Sequence, residues 1–192
     1  MSFIILIPAY KPEQRLVQLV EQLLAASPAQ IVVVNDGSPA DYDLIFATLA
    51  QLPRVQILVH AVNQGKGAAL RTGFRHIETL PVDISCVVTA DADGQHSVKD
   101  ILAVGATGDS HPEAMVIGGR RFDKDVPARS MFGNTVTRWV MRLFFGIRLW
   151  DTQTGLRGIP HRLLPALMEI PFSRYDLEIE MLLVAHRKGV PL

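Results

Sequence analysis

The sequence predicts an α/β fold in which a mostly parallel sheet carries helices on both faces. Three observations point to it. Aliphatic runs of strand length alternate with segments whose apolar residues recur at helical spacing. The runs are continuous rather than alternating, as in strands covered on both sides. A polar cluster also closes each of the first four runs, and the carboxyl ends of the strands are where the ligand crevice of such a sheet lies.

The first run, "FIILIPAY", gives a strand over Phe3 to Ile7. It is far shorter than the ~20 residues of a membrane span, lacks a basic flank and runs into proline, so it is not a signal. Leu16, Leu19, Val20, Leu23 and Leu24 share one face of the helix that follows. Ile31 to Val34 is the second strand, and Leu44, Ile45 and Leu49 form the apolar face of the second helix. Val55 to His60 is the third strand, with Ala69, Leu70, Phe74 and Ile77 on the third helix. Ile84 to Ala90 and Met115 to Ile117 complete the set of strands. Beyond them, "RSMFGNTVTRWVMRLFFGIRLW" (Arg129 to Trp150) has helical apolar spacing with Arg138, Arg142 and Arg148 interleaved. It is followed by "DTQTGLRGIP" and the helix-like "YDLEIEMLLVAHRKG". A single domain over residues 1–192 is expected, with a nucleotide-binding half at 1–118 and an acceptor-side half at 119–192.

A chain of 192 residues is long enough to bury roughly 70% of its unfolded surface without staples. Its 19 Lys and Arg balance 19 Asp and Glu, so no global field favours nucleic acid as a partner. The single cysteine, Cys86, rules out an internal disulfide and suits the cytoplasm. The chain stops at "AHRKGVPL", just after a helix-ending Gly and Pro and without a closing strand. This reads as a truncated C-terminus, a membrane segment being one candidate for the remainder.

The clusters at the strand ends are "PAYKPE", "NDGS", "NQGKG" and "DADGQH". Singly each is weak: "NDGS" has ordinary turn chemistry, and "NQGKGAAL" lacks the Walker spacing and the Ser or Thr after its lysine. Four on one edge of one sheet point to a single crevice. Small residues and Lys66 at a helix start suit a diphosphate met by backbone and ammonium. Asp91 and Asp93, at i and i+2 of an extended segment, would converge on one side. Converging carboxylates repel unless a cation lies near them. Hard oxygen ligands favour Mg2+ or Mn2+, completed by substrate phosphates and waters. The plainer reading, an acidic turn before a helix capped by Ser97, loses its appeal beside the other three clusters.

In order along the chain, "IPAY", "VVNDGSPAD", "NQGKGAALRTGF", "ADADGQH", "IGGRRF", "RSMFGN", "DTQTGLRG" and "YDLEIEML" resemble nucleotide-sugar glycosyltransferases of family 2. The nearest likeness is to polyprenyl-phosphate enzymes similar to dolichol-phosphate mannose synthase. The resemblance implies the GT-A, Rossmann-like fold and an inverting transfer from a UDP- or GDP-linked sugar. It implies that Pro8, Ala9, Tyr10 and Asp36 line the nucleobase and ribose pocket, with Lys66 and Arg71 by the nucleotide. Asp91 would face ribose and metal, Asp93 would bind the metal, and Gln95 would complete its shell. Arg121 and Arg129 would meet the donor diphosphate or the acceptor phosphate, and Asp151, Thr154 and Gly155 would shape the sugar side. Two departures stand out: Lys11 and Pro12 where many relatives have "YNE", and Asn35 for the first Asp of "DDGS".

For an inverting transfer, alignment and cationic stabilisation of the leaving group supply the catalysis. A phosphate-monoester acceptor is already anionic, its second pKa being about 6, and needs no general base. A hydroxyl acceptor, as in cell-envelope polysaccharide synthesis, needs one, for which Asp176, Glu178 and Glu180 are the candidates. The polyprenyl phosphate is favoured, with reaction at the cytoplasmic face of a membrane. Trp139 to Trp150 could touch that membrane or pack onto the sheet, and packing is the favoured reading. A sugar nucleotidyltransferase or a dinucleotide oxidoreductase would need glycines after the first strand that "PAYKPEQRL" lacks. A non-catalytic relative that binds a nucleotide sugar is the remaining alternative.

Overall fold

The computed structural model describes residues 2–119, 154–170 and 177–192. Six strands form one sheet: β1 (Phe3–Ala9), β2 (Gln30–Asn35), β3 (Val55–Val59), β4 (Cys86–Thr89), β5 (Val116–Ile117) and β6 (Arg157–Pro160). Their order is β3-β2-β1-β4-β6-β5. Helices α1 (Arg15–Ala26), α2 (Asp43–Ala50), α3 (Lys66–Glu78) and α4 (Val98–Ser110) follow the first four strands in turn, and α5 (Leu164–Met168) and α6 (Leu177–Arg187) follow β6. The pairs β1–β2, β2–β3 and β1–β4 are parallel, as continuous aliphatic runs require.

β1 is the centre of the fold and is buried along its whole length. Its pleat sends alternate residues to opposite faces. Ile4 and Leu6 join Val32, Val34 and Val87 beneath α3, α5 and α6, where they meet Leu70, Phe74, Leu167 and Leu182. Phe3, Ile5 and Ile7 join Ile31, Val33 and Val88 beneath α1, α2 and α4, where they meet Leu16, Val20, Leu49 and Ile101. Two buried layers of this kind are the condition for a sheet with helices on both faces.

Two sequence expectations are corrected here. Leu44 does not lie on the buried face of α2; it is 78% exposed, and Phe46 and Leu49 carry the packing. Strand β6 is absent from the expected set of strands; "RGIP" is short and contains both glycine and proline, which depress strand propensity. It pairs antiparallel with β4 and β5 on either side, so the sheet is mixed at this edge. β6, from beyond residue 118, sits between β4 and β5.

Candidate active site

The carboxyl ends of β1, β2 and β3 are locked together by one buried carboxylate. Asp36 is 2% exposed. Its Oδ1 accepts from the Gln64 amide at 2.9 Å and pairs with His60 Nδ1 at 2.7 Å. Its Oδ2 accepts from Asn63 Nδ2 at 2.9 Å and from the Gly65 amide at 2.8 Å. His60 continues the chain through Nε2 to the Thr72 hydroxyl, 2.9 Å away on α3. Asp36, expected in the nucleobase and ribose pocket, here has its acceptor positions met by protein partners that shape the turn into α3. Gly37 completes the lock. Its φ of +68° favours glycine, and a Cβ there would run into the backbone of Val62 and Asn63.

Asn35 is likewise a turn residue in this structure. It is buried, and its Oδ1 accepts from the Ser38 amide at 2.9 Å. The Ser38 hydroxyl accepts from the Lys11 amide at 2.9 Å, which ties the first loop to the second. Pro8 and Ala9 are buried within β1. Of the four residues expected around the base and ribose, only Tyr10 presents an exposed side chain, with the Lys11 ammonium 5.2 Å from its ring centre.

The charged centre lies at the end of β4. Lys66, the first residue of α3, places Nζ 2.7 Å from Asp91 Oδ1 and 2.9 Å from Glu178 Oε1 on α6. The other Asp91 oxygen lies 3.2 Å from Nε2 of buried His96. Burial alone would pull the Lys66 ammonium down, but Asp91 and Glu178 together hold it above its ordinary value. Burial likewise acts to raise Asp91, yet His96 and Lys66 outweigh it and hold the carboxyl well below the usual range. Gly155 backs the carboxylate closely: a Cβ there would fall within the Asp91 side chain. The Thr89 hydroxyl fixes the same turn by donating to the Gly155 carbonyl at 2.7 Å.

Fully buried Arg157 ties that turn to α6, donating from Nε to the Thr154 carbonyl at 3.1 Å and from Nη1 to the Glu178 carbonyl at 2.6 Å. Thr154, expected on the sugar side, is also fully buried, its hydroxyl accepting from the Leu156 amide at 3.2 Å. Arg71 lies half-buried further along α3. Glu180 is not brought to this centre. Two residues beyond Glu178, about 200° round the helix, it lines a groove with Glu169 of the α5 end and Arg187. Arg121, Arg129, Asp151 and Asp176, with the Trp139 to Trp150 stretch, lie outside the described residues.

Asp93 behaves differently from Asp91. The segment turns at Ala92 and Asp93, with Gly94 at φ +73°, rather than continuing as the expected extended strand end. Asp93 Oδ1 accepts from the Gln95 amide at 3.0 Å within that turn. Among the described residues no group of three acidic, histidine or cysteine side chains gathers to hold a metal ion. Two hard carboxylates on one short loop fit an ion that brings phosphate oxygens with it, the usual mode for magnesium with nucleotides. Ser97 caps α4 through the Asp100 amide at 3.1 Å, as the turn reading expected.

Sequence reasoning missed His96, His60, Asn63 and Arg157. Nothing local signals them, for each is defined by a partner on another strand end or helix. The bond of His96 to Asp91 forms only once the loop turns at Gly94.

Compared with known proteins, residues 4–164 match the family model described as glycosyl transferase family 2. The UDP-N-acetylglucosamine–dolichyl-phosphate N-acetylglucosaminyltransferase of Methanococcus voltae is 29% identical over 95% of this chain and 79% of its own. A solved mycobacterial protein superposes with a TM-score of 0.72 at 16% identity, over 98% of this chain and 63% of that one. Residues 1–349 of S. aureus TarS, solved in complex with UDP, give a TM-score of 0.59 at 18% identity, over 99% of this chain and 55% of that one. Likeness at such identities shows the fold, which is the expected GT-A arrangement. The chain spans less than two thirds of both solved chains.

Proposed function

The chain belongs to glycosyl transferase family 2, and we propose that it is an inverting enzyme moving a sugar from a nucleoside-diphosphate sugar to a polyprenyl phosphate. The observation that carries the reading is the crevice at the ends of β1, β2 and β4, where Lys66, Asp91 and Glu178 meet beside Gly155. It supplies an ammonium at a helix start for the diphosphate and a carboxylate held ionised for a cation. The naming of a dolichyl-phosphate acceptor in the Methanococcus voltae relative supports the lipid phosphate.

The chain's residues divide the work. Tyr10, exposed above the Asn35–Ser38 turn, covers the base. The Asp36 lock sets the Gly65 turn, so that α3 begins where the diphosphate arrives and Lys66 meets its charge. Asp91 and Asp93 would hold Mg2+ or Mn2+, which when bound neutralises the departing diphosphate. The phosphate acceptor is favoured over a hydroxyl by the placement of the acids. Glu178 is ion-paired to Lys66, and Glu180 lines a different groove, so neither stands as a free base at the crevice. No helix among the described residues is long and apolar enough to cross a membrane, and a lipid acceptor would place the reaction at the membrane's cytoplasmic face by peripheral contact.

Thermal unfolding with a panel of nucleotide sugars, with and without Mn2+, tests the reading, because a ligand bound only to the native state raises the melting temperature. A UDP- or GDP-linked sugar should stabilise the protein, and more so with Mn2+. A panel without any stabilising donor overturns it.

A further inference from the structure

We propose that Lys66 is an exchangeable counter-cation: in the donor-free protein its ammonium takes the place beside Asp91 that a metal ion needs, and it is drawn away when a diphosphate arrives. The inference rests on the glycosyltransferase reading and concerns the order in which that site fills.

One nitrogen bridges two carboxylates from separate elements, lying 2.7 Å from Asp91 and 2.9 Å from Glu178. The remaining Asp91 oxygen is taken by His96 at 3.2 Å, and Gly155 closes the side behind it. A divalent ion approaching Asp91 alone therefore meets an ammonium already within contact distance, and like charges at that separation repel strongly in a partly desolvated crevice. The Lys66 stem is long and flexible, and it starts at the first position of α3 after Gly65, which provides no side-chain cap for the helix amides. A diphosphate at that helix start would attract both the amides and the ammonium. It would turn Lys66 off Asp91 as it brings its own oxygens to the ion.

Metal and nucleotide are then coupled, and the coupling is reciprocal: each must tighten the other's binding by the same factor. Glu178 is anchored by its backbone as well as by its side chain. Its helix stays in place, because the Arg157 guanidinium still holds the Glu178 carbonyl.

The test is the affinity for Mn2+ alone, followed by electron paramagnetic resonance, in the wild type and in Lys66→Met. Removing the ammonium leaves Asp91 and Glu178 uncompensated, so the variant should bind Mn2+ roughly tenfold more tightly than the wild type, equivalent to ~1.4 kcal/mol. Lys66→Arg, which keeps the charge, should stay near the wild type, and Asp91→Asn placed on Lys66→Met should remove the gain. In the wild type, UDP should tighten Mn2+ binding. If Lys66→Met melts without cooperativity, Lys66→Gln carries the same expectation. A folded Met or Gln variant that binds Mn2+ no tighter than the wild type overturns the exchange while leaving UDP-dependent stabilisation of the wild type, and so the enzymatic reading, intact. A wild type that UDP and Mn2+ fail to stabilise overturns both.

Discussion

Asp36 and Asp91 are the same side chain in two solvations, and the contrast separates holding a loop from holding a ligand. Asp36 is neutralised by fixed donors, two backbone amides, an amide side chain and an imidazole. Such an arrangement is rigid. Asp91 is neutralised by the Lys66 ammonium at a partly exposed edge, on a long side chain rather than on the backbone. Removing Asp36 strands several buried donors at once, each costing about 1–3 kcal/mol when left unmade. Asp36→Ala should therefore lose about 3 kcal/mol or more, read as a lower urea midpoint with an unchanged m-value. A loss below ~1 kcal/mol would show that water replaces the carboxylate and that the lock is not structural.

Elements in this fold approach one another as closely as their glycines allow. A Cβ at Gly108 of α4 would stand 2.6 Å from Cys86 Sγ on β4. The helix therefore lies directly against the strand and seals the thiol, which burial pushes up to about 11. The sign follows from which form folding favours. A free thiol has a pKa near 8.5, so the native state prefers the neutral thiol. Its contribution is fully present below about 8.5 and is lost as pH rises through about 11. Only the thiolate is nucleophilic, so iodoacetamide at pH 8 should leave Cys86 unmodified in the native protein and modify it readily in urea. Alkylation of the native protein as fast as of the unfolded chain would show that α4 opens from β4 without global unfolding.

At the scale of the molecule, the sequence patterns were legible wherever one element's residues decided the outcome. The runs around Ile4, Val32 and Val87 declared buried parallel strands, and the clusters at their ends declared the crevice. What stayed hidden was decided between elements. Nothing near Arg157 announces that it reaches the Glu178 carbonyl, and nothing in "RGIP" announces a strand, because its pairing comes from β4 and β5. That pairing has a consequence for the halves expected on either side of residue 118. A fragment of residues 1–118 would keep β1, β2 and β3 but lose the strand between β4 and β5. It would also lose the α5 and α6 residues Leu167, Met181 and Leu182 that cover the face of Ile4 and Leu6. Its β4 edge would be unpaired and its second core layer exposed, the condition under which sheets associate edge to edge. The fragment should show no cooperative thermal transition and should aggregate, whereas the full chain melts cooperatively. A monomeric fragment with one sharp transition and nucleotide-dependent stabilisation would mean that the first half folds alone and that β6 is an addition to a finished sheet.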